Sequence, residues 1–277
     1  MSNAITTEEY ADFRSFLHKV AGIDLGDSKQ YLVATRIRRI MRDNDCENVG
    51  ALNSKLKRGA ETRLRQDVVD AMTTNETFWF RDNYPFDYLK SSILPSVIDS
   101  NRGSPVKVWC AACSSGQEPY SISMIFDEFI KSNLTLRNSR LDIQATDLSS
   151  NILAKAKAGE YDRLSVSRGM SDIRLRAYFE PMANEGWRVK EILKKNIRYK
   201  PINLQESFLS MGKFDIVFCR NVLIYFAPDL KQDILKRIRG VLKPGGYLFL
   251  GSSESLGAAS EFFDMEHCKP GVVFRAK

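Results

Sequence analysis

The chain has 277 residues, of which 43% are hydrophobic and 27% are charged, a composition typical of soluble globular proteins. This length allows one large domain, or a large and a small one, with a sizeable buried core. No stretch approaches the roughly 18 apolar residues of a membrane span, and the N-terminus lacks the basic-then-apolar order of a signal peptide. The sequence therefore predicts a cytoplasmic protein that does not insert into a membrane.

The formal net charge of +7 favours acidic partners, whether nucleic acid, an anionic membrane or an acidic protein surface. Nucleic acid is not predicted, because none of its common recognition motifs is present. The five cysteines are unevenly spaced and do not indicate a disulfide framework. We interpret the C-x-x-C pair of Cys110 and Cys113 as small buried thiols rather than as a redox pair. With only two histidines, the sequence offers no ligand set for zinc, and we expect no metal.

Residues 1–72 are predicted to form an all-helical N-terminal domain. A capping box opens its first helix, and apolar residues follow at helical spacing until Gly22 ends it. The second helix is expected to direct Tyr31 toward the core, and two shorter helices are expected near 49–58 and 61–72.

The second helix carries a dense cluster of positive charge, formed by Arg36, Arg38, Arg39 and Arg42. Two interpretations of this cluster are open. One is a solvated face that pairs with nearby acidic residues, which is the usual role of a run of charges. The other is a docking surface that attracts an acidic helical partner by complementary charge.

Residues 73–86, TTNETFWFRDNYPF, mix hydrogen-bonding side chains with large aromatic ones. The aromatic residues alone could pin a connecting segment to the main core. We favour a functional interpretation, in which they hold the polar side chains rigidly and direct them into a binding cleft. The segment is therefore expected to connect two domains and to contribute to a cofactor site.

The run VKVWCAACSSGQEPYS, residues 106–121, predicts a strand, a tight turn of small residues and a helix N-terminus. In open α/β sheets, ligands bind outside the carboxyl end of such a strand, facing the backbone N–H groups of the turn. The turn contains one glycine, Gly116, and so does not match the G-x-G-x-x-G fingerprint of dinucleotide-binding proteins. The turn alone does not identify the cofactor.

Strand and helix patterns alternate over residues 87–277, which predicts a doubly wound, Rossmann-like α/β sheet. The second strand, LDIQATD, ends on Asp147, whose carboxylate oxygens can accept hydrogen bonds from ribose hydroxyls. A buried strand, FDIVFC, leads into the polar pair Arg220 and Asn221. The run LKPGGYLFLG then predicts a Lys-Pro-Gly-Gly turn before another buried strand, and a hairpin strand ends the chain.

Residues 161–200 interrupt this alternation. The short runs YFEP, GWRVK and IRYKPI, with the turn-forming ANEG between the first two, predict a small antiparallel sheet inserted into the parallel one. The insertion is either a decoration of the fold or a site that captures an extended peptide on an edge strand. Its basic flanks would favour an acidic peptide.

Five motifs together resemble one family, the CheR family of S-adenosylmethionine-dependent methyltransferases of bacterial chemotaxis. The motifs are TTNETFWFR (73–81), WCAACSSGQEPYS (109–121), ATD (145–147), FCRNVLIYF (218–226) and LKPGGYLFLGSSESL (242–256). Each is weak alone, but they occur in register along most of the chain, behind a helical domain that the family shares. The resemblance implies an enzyme that methylates glutamates in the cytoplasmic domains of chemoreceptors, forming methyl esters and S-adenosylhomocysteine. We expect a monomer, and the inserted sheet is the candidate site for a C-terminal peptide of the receptor.

The resemblance also assigns cofactor-binding residues, matched motif by motif. They are Asn75, Thr77, Arg81, Glu118, Asp147, Asn203, Leu204, Arg220 and Asn221. Asp147 would hold the ribose, and Asn203 with Leu204 would lie beside the adenine. The turn AACSSGQEP is poorer in glycine than the corresponding turn of most methyltransferases of this fold, so the other motifs carry the assignment.

Methyl transfer to a glutamate needs no general base, because the carboxylate is already ionised at neutral pH. The five motifs contain no histidine, so catalysis would depend on positioning and partial desolvation. We expect Arg81 and the hydroxyl of Tyr225 to be the catalytic residues, orienting the carboxylates of the substrate or of the cofactor. In the alternative interpretation Tyr225 is a core aromatic residue.

Three other classes of protein share part of this pattern. A nicotinamide oxidoreductase would share the sheet, but the glycine fingerprint is absent. A nucleic-acid methyltransferase would suit the positive charge, but the chain has Arg-Asn-Val-Leu where base methylation would favour an Asn/Asp-Pro-Pro-Tyr motif. A non-catalytic module that senses S-adenosylmethionine or docks on receptors would keep the fold, and the intact polar residues of the motifs argue against it.

Overall fold

The computed structural model describes residues 5–58, 61–183 and 185–277. Residues 1–4 of the predicted helical domain, and Asn184 of the predicted ANEG turn, lie outside the described residues. The helices, in chain order, are α1 (Thr7–Ala21), α2 (Gln30–Asp43), α3 (Val49–Lys57), α4 (Thr62–Met72), α5 (Tyr84–Tyr88), α6 (Leu94–Asn101), α7 (Gln117–Ser132), α8 (Ser150–Ala158), α9 (Arg163–Ser167), α10 (Asp172–Tyr178), α11 (Glu191–Lys194) and α12 (Pro228–Val241). The strands are β1 (Val106–Ala111), β2 (Leu141–Asp147), β3 (Glu160–Tyr161), β4 (Phe179–Pro181), β5 (Trp187–Val189), β6 (Ile197–Pro201), β7 (Phe214–Cys219), β8 (Leu242–Leu250), β9 (Phe263–Cys268) and β10 (Gly271–Ala276).

Helices α1 to α4 form the predicted helical domain around an apolar core of their own. Thr6 and Glu9 form the capping box that opens α1, and Gly22 ends the helix in the left-handed conformation, as predicted. The prediction that Tyr31 points toward the core is wrong, because its side chain is 83% exposed. The buried positions of α2 are Val33 and Ile37, one helical turn apart, so their spacing sets the inward face and leaves Tyr31 outside it.

The predicted doubly wound sheet is confirmed, with the strand order β6-β2-β1-β7-β8-β10-β9. The neighbouring strands β6, β2, β1, β7 and β8 run parallel to one another. Strands β9 and β10 form the antiparallel hairpin expected at the end of the chain. Alternate residues of β1 belong to two different apolar clusters, Val108 and Cys110 to one, Trp109 and Ala111 to the other. Both faces of the sheet are therefore buried, as expected for parallel strands. Among the described residues no helix is both long and apolar enough to cross a bilayer.

A separate small antiparallel sheet, β3-β5-β4, confirms the predicted insertion, but the assignment of IRYKPI to it is wrong. Its first five residues form β6, which pairs in parallel with β2 at the edge of the main sheet. The run alternates a buried Ile197 with an exposed Arg198, a pattern that suits an edge strand of either sheet. Only the long-range pairing with β2 decides between them.

The predicted Lys-Pro-Gly-Gly turn falls within the bounds of β8, where it forms an irregular stretch in which Gly245 has a left-handed φ of +72°. The register of β8 against β7 shifts between Phe214 and Ile216, and this irregularity accommodates Pro244, which has no N–H to donate. Lys243 lies beside it and forms an ion pair of 2.5 Å with the buried Asp215.

The insertion is fastened to the segment that joins the two domains. Trp79 is fully buried and donates from Nε1 to the carbonyl oxygen of Ser165 at 3.1 Å. Its backbone N–H donates to the carbonyl oxygen of Arg168, also at 3.1 Å. Gly169 follows in a left-handed conformation, with φ of +93°, and a Cβ there would overlap the carbonyl oxygen of Trp79. The close approach of these two segments of the chain therefore requires glycine at this position.

We expect Gly169→Ala to destabilise the protein more than Gly103→Ala, although both glycines have similar left-handed φ values, of +93° and +89°. Gly103 has open space around it, so its substitution would carry only the backbone cost of about 1–2 kcal/mol. Gly169→Ala would add the cost of displacing Trp79, about 1–3 kcal/mol more. Urea denaturation of both variants measures the difference, and equal losses of stability would contradict the close packing.

Candidate active site

A cleft lies where the carboxyl ends of β1, β2 and β7 meet residues 73–86, the connecting segment. In the strand order this is the switch point between β1 and β7, where open α/β sheets bind ligands. The cleft holds about 1040 Å³, including the part open to solvent. It brings together every site residue predicted from the sequence: Asn75, Thr77, Arg81, Glu118, Asp147, Asn203, Leu204, Arg220, Asn221 and Tyr225.

Asp147 is held by the turn that follows β1. Its two carboxylate oxygens accept hydrogen bonds from the backbone N–H groups of Ser114, at 2.9 Å, and Ser149, at 3.0 Å. Burial raises the pKa of Asp147 above its ordinary value, and these hydrogen bonds oppose the rise. Each oxygen keeps a further lone pair. The fixed carboxylate can therefore accept two hydroxyl donors of a ligand.

Arg220 ties together several walls of the cleft. Its side chain is only 2% exposed, and its guanidinium contacts Asp82 at 2.6 Å and Glu118 at 3.3 Å. It also donates to the carbonyl oxygen of Arg81 at 3.0 Å. Burial raises the pKa of Glu118, while the Arg220 charge opposes that rise. Nε of Arg220 is buried and has no hydrogen-bond partner within the described part of the chain.

The connecting segment is anchored from the helical domain by Arg36. This side chain donates to the carbonyl oxygens of Met72, at 2.8 Å, and Thr73, at 3.2 Å, and to the hydroxyl of Thr74, at 3.0 Å. The interpretation of the whole arginine cluster as a solvated face is therefore wrong for Arg36. Arg39 does fit it, because its 84% exposed side chain pairs with a surface aspartate.

The other side of the segment meets the turn after β1 and the insertion. Ser114 Oγ donates to the carbonyl oxygen of Asn75 at 2.9 Å. The guanidinium groups of Arg81 and Arg168 lie 5.3 and 5.1 Å from the centre of the Phe78 ring. Arg81 also donates to the carbonyl oxygen of Glu76 at 3.2 Å. The aromatic residues thus hold the polar ones in place, as the alternation of residue types suggested.

Asn203 and Leu204 line another wall of the cleft. Nδ2 of Asn203 donates to the carbonyl oxygen of Val20 at 2.8 Å, and its Oδ1 accepts from the N–H of Gln205 at 3.1 Å. The amide therefore ties this loop to the end of α1. Buried Leu204, together with Ile202, gives the wall an apolar surface suited to a flat ring.

The loop after β7, residues 220–225, carries Asn221 and Tyr225. Asn221 has a left-handed φ of +57°, and its Oδ1 is buried without a hydrogen-bond partner among the described residues. Tyr225 is partly buried and lines the cleft, while its carbonyl oxygen accepts from the N–H of Asp24 at 2.8 Å. Sequence reasoning missed Glu254, whose carboxylate accepts backbone N–H groups of this loop. Its only sequence signal was its place in the fifth motif.

Cys110 and Cys113 are buried free thiols, as predicted. Burial raises the pKa of both thiols well above the ordinary value, which keeps them protonated and unreactive. Cys113 lines the cleft but forms no disulfide with its neighbour. Both thiols are therefore packed at the turn.

Two family models match nearly the whole chain. One, described as the all-alpha domain of CheR methyltransferase, matches residues 8–73, and the other, described as the SAM binding domain of CheR methyltransferase, matches residues 75–272. The chain belongs to the CheR methyltransferase family. The resemblance found in the motifs is thereby confirmed, and so is S-adenosylmethionine as the cofactor of this CheR methyltransferase.

Curated relatives agree with this assignment along nearly their full length. The chain is 49% identical to "Chemotaxis protein methyltransferase Cher2" of Pseudomonas putida, over 97% of this chain and 98% of the relative. It is 51% identical to "Chemotaxis protein methyltransferase 1" of Pseudomonas aeruginosa, over 96% of both. It is 45% identical to "Chemotaxis protein methyltransferase" of Vibrio parahaemolyticus, over 99% of this chain and 98% of the relative.

We expect the affinity of this CheR methyltransferase for S-adenosylhomocysteine to fall as the pH is lowered through the pKa of Asp147. We expect ribose hydroxyls to donate to the ionised carboxylate, and because burial raises its pKa, the loss of affinity should begin above the ordinary pKa of about 3.9. The fold itself responds in the opposite direction: a raised pKa means that ionisation costs stability, so the contribution of Asp147 decreases as the pH rises through it.

Calorimetric titration over a series of pH values at which the protein stays folded measures this effect. Asp147→Asn should bind roughly 10- to 100-fold more weakly at neutral pH, and its affinity should vary less with pH. If the variant and the unmodified protein lose affinity in parallel as the pH falls, Asp147 is not the titrating group.

Proposed function

We propose that this protein transfers the methyl group of S-adenosylmethionine to glutamate side chains in the cytoplasmic domains of chemoreceptors. The products would be glutamate methyl esters and S-adenosylhomocysteine, in the service of chemotactic adaptation. The observation that carries the proposal is the cleft at the β1/β7 switch point, in which all the residues predicted for this reaction line one wall or another. The names of the relatives, which are chemotaxis protein methyltransferases, support it.

The proposal includes the division of labour predicted from the sequence. Residues 1–72 would form a helical domain, residues 73–86 would contribute to the cofactor site, and residues 87–277 would form the catalytic domain. We propose that the protein acts in the cytoplasm, because its proposed substrates are the cytoplasmic domains of receptors, and that it acts as a monomer.

The described residues fit the cofactor at several points. The carboxylate of Asp147 suits the ribose hydroxyls, and the apolar surface of Leu204 suits the adenine ring. The buried Oδ1 of Asn221 is an acceptor without a partner among the described residues, as expected if a ligand N–H donates to it. When bound, S-adenosylmethionine supplies a methyl group activated by its sulfonium charge.

The cleft can orient an incoming carboxylate without exchanging a proton. Of the two arginines that line it, Arg220 is paired with the carboxylates of Glu118 and Asp82, whereas Arg81 contacts a carbonyl oxygen and the Phe78 ring. The Arg81 guanidinium has five N–H donors, so several can face a ligand. Together with the Tyr225 hydroxyl, it would hold a carboxylate in a geometry that favours attack on the methyl group.

Methyl transfer to a receptor domain tests the proposal directly. Calorimetry is expected to give binding of S-adenosylmethionine and S-adenosylhomocysteine, and tritiated methyl groups should then be transferred to a receptor cytoplasmic domain. The incorporated label should be released in alkali, because methyl esters hydrolyse there and methylated nitrogens do not. Binding without transfer to any receptor domain would favour a sensing or docking module, and alkali-stable label would exclude carboxyl methylation.

Two substitutions test the catalytic residues. Arg81→Ala and Tyr225→Phe are each expected to lower kcat/KM for the receptor domain about tenfold or more, because each removes a group that orients a carboxylate. Arg275→Ala is the matched control: Arg275 also stacks on an aromatic ring, Tyr247, and donates to a carbonyl oxygen, but at the opposite edge of the sheet. Unchanged kcat/KM in the two cleft variants would refute their assignment.

A further inference from the structure

The carboxylate of Glu254 joins two loops at the carboxyl edge of the sheet, the loop that follows β7 and the loop that follows β8. It accepts hydrogen bonds from backbone N–H groups of both. The donors are Asn221 at 2.7 Å, Val222 at 2.9 Å, Leu223 at 2.8 Å, Ile224 at 3.3 Å and Gly251 at 2.7 Å.

Four of these donors are consecutive in the sequence, so the backbone of residues 221–224 is curled around one anionic group. Successive N–H groups converge on one point in a backbone nest, and Asn221 has the left-handed φ of +57° that begins such a nest. A short 3-10 turn, Leu223–Tyr225, continues from it. Without the carboxylate, the N–H groups at the start of this turn would lose their common acceptor.

The curled loop is also the part of the fold that presents residues to the cleft. Asn221, Val222 and Tyr225 line the cleft, whereas Glu254 is not among the lining residues. Glu254 lies behind the loop, beside Gly251, where a Cβ would be only 2.7 Å from Nδ2 of Asn221. Any influence of Glu254 on the reaction would therefore pass through the loop.

We propose that Glu254 is a positioning residue, which fixes residues 220–225 so that Asn221 faces the cofactor and Tyr225 faces the methyl-accepting carboxylate. The role of Tyr225 in this statement rests on the function proposed above. A glutamine at this position keeps the size of the side chain but replaces one acceptor oxygen by an NH₂ donor. Because backbone N–H groups supply all the hydrogen bonds that Glu254 forms within the described residues, the amide would repel part of the loop that the carboxylate holds.

Asp215 provides a matched control in the same sheet. Like the partly buried Glu254, the buried Asp215 accepts a backbone N–H, from Lys107 at 2.8 Å, and it also pairs with Lys243. It is the second residue of β7 and lies at the amino edge of the sheet, whereas the loop fixed by Glu254 begins at the other end of that strand. Asp215→Asn should therefore weaken the fold without disturbing the cleft.

The experiment compares Glu254→Gln, Glu254→Asp and Asp215→Asn by melting temperature, by affinity for S-adenosylhomocysteine, and by kcat and KM with a receptor domain. Measurements are made well below the melting temperature of each variant. We expect Glu254→Gln to lower kcat roughly 10- to 100-fold and to weaken S-adenosylhomocysteine binding, with receptor KM nearly unchanged. Glu254→Asp, which keeps the charge, should recover part of kcat, and Asp215→Asn should keep both kcat and affinity while losing thermal stability.

Two results would overturn the positioning role. One is a Glu254→Gln protein with normal kcat and normal affinity for S-adenosylhomocysteine. The other is a loss of kcat and affinity that is proportional to the loss of folded protein in both the Glu254 and the Asp215 variants. If the unmodified protein transfers no methyl group to receptors, the proposed function fails. The positioning role is then tested by the affinity for S-adenosylhomocysteine alone. Selective loss of affinity in Glu254→Gln supports the role, and equal affinities refute it.

Discussion

The cleft depends on the burial of one positive charge. The guanidinium of Arg220 is almost fully removed from solvent, and a buried ion is tolerated only when partners surround it. Its partners come from different parts of the chain: Glu118 from the first turn of α7, and Asp82 with the carbonyl oxygen of Arg81 from the connecting segment. Since Arg220 itself follows β7, the requirement for pairing draws a helix, a strand end and the connecting segment to one point. The cleft is the space that remains between them.

The connecting segment explains why the helical domain and the insertion both matter to the cleft. Arg36 holds its first residues, Thr73 and Thr74, from α2, and Arg168 holds its middle from the insertion, through Glu76 and the Phe78 ring. Polar residues of the segment therefore face the cleft from a support that is fixed on two sides. This division of labour accounts for the alternation of polar and aromatic residues, since the first group faces ligand and the second group packs against the scaffold.

Much of the fold and the cleft could be predicted because the signals are local. A capping box, a terminating glycine and strands that end in polar residues place α1, Gly22, Asp147 and Asn221 without knowledge of tertiary contacts. The incorrect predictions concern features that are decided by contacts between residues far apart in the sequence. The run IRYKPI carries no information on which sheet will accept it, and Tyr31 lies outside a face that other residues define. Glu254 escaped notice for a related reason: four of its five partners are backbone N–H groups about thirty positions earlier, and such contacts leave no pattern in the sequence.

The turn after β1 contains two residues other than glycine, Ala112 and Ser114, with left-handed φ values of +58° and +51°. Such conformations are strained for residues with a Cβ. Here hydrogen bonds from the backbone and side chain of Ser114 hold the strained form, through Asp147 and the carbonyl oxygen of Asn75. Glycine at these positions would relax the turn, but the turn would then adopt many conformations in the protein without ligand. Ligand binding would have to select one of these conformations, at a cost in entropy. The strain thus lowers the entropy that remains to be lost when the cofactor arrives.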